Sequence, residues 1–117
     1  MNEIEFKERT KQLALAVIRL VEGLPNTKVA DILGRQVLRS ATSISANYRA
    51  ACRAKSTADM INKLKTVEEE SDETLYWLEL LTESAIVPPA KTTDLHKETN
   101  EILSMTVASL KTLRGRR

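Results

Sequence analysis

The chain has 117 residues, of which 42% are hydrophobic, 29% charged and 3% aromatic, and its formal net charge is +2. This length bounds a single domain, residues 1–117, with one packed core, and so few aromatic residues make that core aliphatic. One cysteine, Cys52, excludes an internal disulfide; the charged start MNEIEFKERTK does not read as a signal peptide, and no apolar run approaches the roughly 18 residues of a membrane span, so a cytoplasmic protein with no membrane contact is expected.

Three breaks divide the chain. Gly23-Leu24-Pro25-Asn26 pairs a helix stop with a proline. Ser56 followed by Asp59 resembles a capping box with Asp in place of Glu. Val87-Pro88-Pro89 forms the third. The segments between them, about 3–22, 27–54, 57–85 and 91–113, all carry a helical period. In the first, Phe6, Thr10, Leu13, Val17, Leu20 and Leu24 recur at spacings of four and three. Met60, Leu64, Val67, Ser71, Leu75 and Leu78 do so in the third, and Leu95, Thr99, Ile102, Thr106, Leu110 and Leu113 in the fourth. Nothing reads as a strand. The expected fold is all-α, an antiparallel up-down four-helix bundle.

Two helices are apolar on a second side. At about 100° per residue, Leu15 and Ile18 point away from the Leu13/Val17 stripe, and Trp77 and Leu80 lie nearly opposite Leu64 and Leu75. Scattered surface apolar residues are common. The sharper reading is a subunit interface made by Leu15, Ile18, Trp77 and Leu80, because Trp is enriched at such surfaces.

The second helix carries a polar strip. Gln36, Ser40, Ser43 and Asn47 share one face within about 60°, with Arg39 on its edge and Val29, Leu33, Val37, Ile44 and Tyr48 alongside as the apolar stripe. One reading is structural: small polar residues allow close helix approach and hydrogen-bond across the bundle, with Glu70 and Glu73 of the third helix pairing with Arg39. Ligand recognition by an exposed polar groove is the second. Catalysis is the third and weakest, because the only histidine, His96, lies in another helix between charged neighbours. No Gly-rich phosphate loop, CxxC, HExxH or GxSxG is present. The acidic run Glu68-Glu69-Glu70 with Asp72 and Glu73 lacks a histidine at ligand spacing, so neither metal nor cofactor is expected.

The strip also carries a resemblance. Gln36-x-x-Arg39-Ser40-x-x-Ser43-Ile44-x-x-Asn47, then Arg53, Ser56 and Glu73-Thr74-Leu75-Tyr76-Trp77-Leu78, resembles the signature of a bacterial family of four-helix-bundle proteins, first noticed as open reading frames in intervening sequences of 23S ribosomal RNA genes. The Leu24-Pro25 break fits as well. An acidic residue usual in that family shortly after the Asn is missing here, where the chain reads Tyr48-Arg49-Ala50-Ala51-Cys52-Arg53. The resemblance implies a ring-shaped homopentamer. It also implies kinship with the accessory variability proteins of diversity-generating retroelements, which bind a reverse transcriptase and nucleic acid.

Charge distribution points the same way. Residues 1–60 carry ten Lys/Arg against six Asp/Glu, whereas residues 61–117 carry eight against ten. The expected function is therefore non-enzymatic association with structured RNA through phosphates, which demands basic side chains but no fixed motif. Lys28, Arg35, Arg49, Arg53, Lys55, Arg114, Arg116 and Arg117 would supply the charge. The alternative is a protein-binding scaffold that recruits an enzyme such as a reverse transcriptase.

Overall fold

Each of the first three helices starts where a side chain can satisfy an orphan backbone donor. Asn2 Oδ1 accepts from the Glu5 N–H at 2.8 Å, Thr27 Oγ1 from the Ala30 N–H at 3.2 Å, and Ser56 Oγ from the Asp59 N–H at 3.1 Å. The computed structural model describes residues 2–115 and shows the helices that follow from these caps: α1 (Glu3–Glu22), α2 (Lys28–Ala51), α3 (Thr57–Glu83) and α4 (Thr93–Gly115). No strand occurs among the described residues.

The breaks fall where the sequence places them, with two adjustments. α2 ends at Ala51 rather than near residue 54. The N–H groups of Arg53 and Ala54 turn back onto the carbonyls of Ala50 and Ala51 at 3.0 and 3.1 Å, so the last turn tightens although no glycine marks it. α4 starts at Thr93 rather than near residue 91, because Pro88 and Pro89 first impose a single 3-10 turn, Pro89–Lys91. Gly34 fixes the first corner. A Cβ there would sit 2.8 Å from Leu24 Cδ1, so any larger residue would have to push the Leu24 side chain aside where the α1–α2 loop folds down onto α2.

Consecutive helices pack against each other, and α1 and α4 close the bundle with the thinnest seam. The body measures 48 × 20 × 20 Å. Its core takes Phe6, Leu13 and Val17 from α1, Val37, Ala41 and Ile44 from α2, Val67, Leu78 and Leu81 from α3, and Ile102 from α4. Fully burying one such large apolar side chain contributes about 1.5–3 kcal/mol. Thr10, Thr99 and Thr106 are buried among them. Their hydroxyls donate to Lys7 O, Leu95 O and Ile102 O of their own helices at 3.0, 2.7 and 2.8 Å, so none of these three is stranded. The α2 stripe departs from its expectation at one end. Val29 is exposed, and Ala30 beside it takes the inward position.

Candidate nucleic-acid interface

The polar strip of α2 faces α3 at its centre and solvent at its ends. Ser40 is fully buried, and Thr74 Oγ1 donates to Ser40 Oγ at 2.8 Å across the α2–α3 seam. Arg39 lies over the same seam. Its Nη1 meets Glu70 Oε2 at 3.0 Å and its Nη2 meets Glu73 Oε1 at 2.6 Å. Glu73 first, with Glu70 behind it, holds the guanidinium above its usual range. The Glu70 side chain is only 11% exposed, whereas that of Arg39 is 51% exposed. Gln36 joins from the other side, its Oε1 3.5 Å from Arg39 Nε.

Ser43 and Asn47 do otherwise. They were expected to be buried and bonded across the bundle. Instead they are half-buried, and Asn47 Nδ2 donates to Ser43 O and Ser43 Oγ, both at 2.9 Å, within α2 itself. Short polar side chains find backbone acceptors one turn away more readily than partners across a seam. The strip is thus a network at Gln36, Arg39, Ser40, Glu70, Glu73 and Thr74, followed by a local pair.

The basic residues separate into two groups. Lys28 and Arg35 stand near the start of α2, and Arg35 Nε is bound to Asp31 Oδ2 at 3.1 Å. Arg49 stands in the last turn of α2, roughly 30 Å from Lys28 and roughly 20 Å from Arg35 at 1.5 Å per residue, and Arg53 and Lys55 follow just past the end of the helix. Arg114, in the last turn of α4, belongs to that same end, where the start of α1, the end of α2, the start of α3 and the end of α4 surround one apolar hollow of about 430 Å³. Arg49, Arg53, Lys55 and Arg114 are exposed and make no ion pair among the described residues. Arg116 and Arg117 lie outside the described residues. One end of the bundle therefore gathers four of the eight sequence-predicted cations.

Two basic positions escaped the sequence reading. Lys7 and Lys11 of α1 line a groove of about 670 Å³ with Arg49, Ser45 and Ala46 of α2 and with Ile4 and Glu8. Their four-residue spacing marks one face of a helix, but nothing in the sequence aligns that face with the last turn of α2. Arg9 was missed too, and it has a different role. Its Nε and Nη2 form a fork on Glu98 at 2.6 and 2.7 Å, and Nη2 reaches Glu101 at 2.5 Å. These carboxylates, Glu98 foremost, hold the Arg9 guanidinium above its usual range. The fork clamps the thin α1–α4 seam.

The remaining titratable groups have local roles. His96 Nε2 lies 2.8 Å from Glu79 Oε2 and joins α4 to α3. Burial pushes the Cys52 thiol up, away from the reactive thiolate. Burial likewise raises Tyr48, whose ring stacks on Phe6 with centroids 4.5 Å apart. Leu15, Ile18, Trp77 and Leu80, the predicted interface set, are all half-buried. Trp77 packs against the core while its Nε1 is buried without a partner. Val29, Ile32 and Tyr76 are the more exposed apolar residues on α2 and α3. No described helix is long and apolar enough to cross a membrane.

Comparison with known proteins bears on this arrangement. Residues 2–108 match the model of a family described as 23S rRNA-intervening sequence protein. A crystal structure of a protein with unknown function from the S23 ribosomal protein family of Bacteroides thetaiotaomicron is 33% identical. It superposes with a TM-score of 0.88 over 95% of this chain and 99% of that one. No curated protein matches the chain.

Proposed function

The chain belongs to the 23S rRNA-intervening sequence protein family, and from that premise we propose that it is a non-enzymatic protein that binds structured RNA through phosphate contacts, as a homopentamer. The observation that carries this reading is the gathering of Arg49, Arg53, Lys55 and Arg114, none of them in an ion pair among the described residues, at one end of the bundle. Cations already committed to carboxylates, such as Arg9 and Arg39, have little to offer a phosphate. Uncommitted ones release counterions from RNA when they bind it. Aromatic residues are too few for a base-stacking platform; Phe6 and Tyr48 stack on each other and Trp77 packs on the core. A pentamer multiplies the formal +2 of each chain into a field that steers polyanions, and the apolar residues Val29, Ile32, Trp77 and Leu80 provide material for contact between copies.

Those same apolar residues favour a second reading, a scaffold that recruits an enzyme such as a reverse transcriptase. Cross-linking in cells, followed by sequencing of bound RNA and mass spectrometry of bound protein, separates the two. Structured RNA as the main cross-linked species supports the first. A protein partner without RNA supports the second.

A further inference from the structure

We infer that the RNA backbone runs along the side of the bundle, in the α1–α2 groove, held by Lys7 and Lys11 of α1 opposite Arg49 of α2. This rests on the RNA-binding reading above and adds to it a path and two residues that the sequence did not single out. This concavity has a volume of about 670 Å³ and is lined by basic residues from two helices, unlike three others among the described residues. The hollow at the bundle end has no basic lining residue, the one beside His96 has none besides that histidine, and the one at the first corner has only Arg35, which is paired with Asp31.

The groove's chemistry suits a phosphate chain. Lys7 and Lys11 are one turn apart on the same face of α1, about 6 Å along the axis, so they can hold neighbouring phosphates of one strand. Lys11 and Arg49 make no ion pair among the described residues, and Lys7 stands at 4.0 Å from an exposed Glu3, a separation worth little in water. The single acidic lining residue, Glu8, already accepts from Gln12 Nε2 at 2.7 Å. Besides Arg49, the α2 side of the lining consists of the small residues Ser45 and Ala46. Lysines are point charges that hold phosphates without a fixed geometry. No aromatic residue of the kind a protein-binding hot spot favours is among the lining residues. Arg49 lines the groove and also belongs to the basic end of the bundle, so it links the two.

The test measures binding of a structured RNA hairpin as a function of salt, on the full chain, for wild type, Lys7→Ala/Lys11→Ala, Lys7→Arg/Lys11→Arg and the control Lys65→Ala/Lys97→Ala. The control removes the same charge from exposed positions away from the groove; circular dichroism confirms that each variant is folded. The expected result is a slope of log affinity on log salt shallower by about 1.4–1.8 for the first variant, at roughly 0.7–0.9 per phosphate contact. The arginine variant and the control should keep the wild-type slope. An unchanged slope for Lys7→Ala/Lys11→Ala overturns the groove path and leaves the RNA reading standing. An equal loss in the control overturns it as a mere net-charge effect. Absence of RNA binding by wild type at low salt overturns both.

Discussion

Ser40 and Thr74 meet at 2.8 Å with no solvent exposure on either side chain, and they are the point at which α2 and α3 are joined by a buried hydrogen bond. The Thr74 hydroxyl also stands 2.8 Å from Glu70 O, and Ser40 Oγ stands 3.3 Å from Val37 O. A hydroxyl has one proton, so the pair has an acceptor whichever way the protons turn. Ser40→Ala and Thr74→Val should each lower stability by about 1 kcal/mol, a typical net value for one hydrogen bond. A double-mutant cycle by urea unfolding should give a coupling of about 0.5 kcal/mol or more. Strict additivity would show that the contact contributes nothing.

Arg9 clamps the seam with the fewest contacts, so its loss should be felt beyond an ordinary surface pair. Arg9→Ala should cost about 1–3 kcal/mol, since it strands the partly shielded Glu98 carboxylate. Arg9→Lys should recover only part of this, because an ammonium cannot reproduce a two-pronged fork. Hydrogen exchange should show the loss as faster exchange in α1 and α4 and not in α2. Full rescue by lysine would mean that charge alone matters there.

Asp59 links stability to acid. Its Oδ2 accepts the Lys55 N–H at 3.1 Å and its Oδ1 lies 3.0 Å from Lys63 Nζ. The Lys55 bond first, then Lys63, holds the carboxyl below its ordinary value of 3.8. A carboxyl depressed by folding contributes stability that is complete above pH 3.8 and fades as pH falls through the lower folded value. Asp59→Asn should therefore lower the melting temperature at neutral pH and flatten its decline in acid. Parallel melting curves for the two proteins from pH 6 to pH 2.5 would contradict this.

Most of this architecture is legible in the sequence because it rests on local rules. The cap at Ser56, the stop at Gly23 and the double proline follow from residue type alone. The heptad-like stripes of α1 and α4 supply every buried residue of those helices except Ala14, whereas the stripe of α3 leaves out Ile61, Glu70, Thr74 and Leu81. Arg39 with Glu70 and Glu73 was also readable, since long complementary side chains flank a polar strip. What the sequence could not give depends on helix rotation and pairing. Whether Asn47 crosses the seam or folds back on Ser43 depends on how α2 is turned against α3. That Lys7 and Lys11 meet Arg49, or that Arg9 reaches Glu98, requires knowing which faces of α1, α2 and α4 adjoin.

The proposed pentamer has a direct check. Light scattering of the wild type should give about five times the chain mass of 13.1 kDa. Ile32→Lys, at a half-exposed position on the first turns of α2, should leave the helices intact and reduce the mass to that of smaller species. Trp77→Glu should do so more strongly, because it also disturbs packing on the core. A wild-type mass near 13.1 kDa at micromolar concentration would remove the ring from the account.

The central claim, recognition of RNA through phosphates, is tested most directly by the affinity for a structured RNA measured between about 50 and 200 mM salt. The account predicts a linear fall of log affinity with log salt. It also predicts that changing Arg49, Arg53 and Lys55 together to Ala flattens the slope by about 2–3, at roughly 0.7–0.9 per contact. Affinity that is absent at low salt, or that holds level across the range, would contradict it.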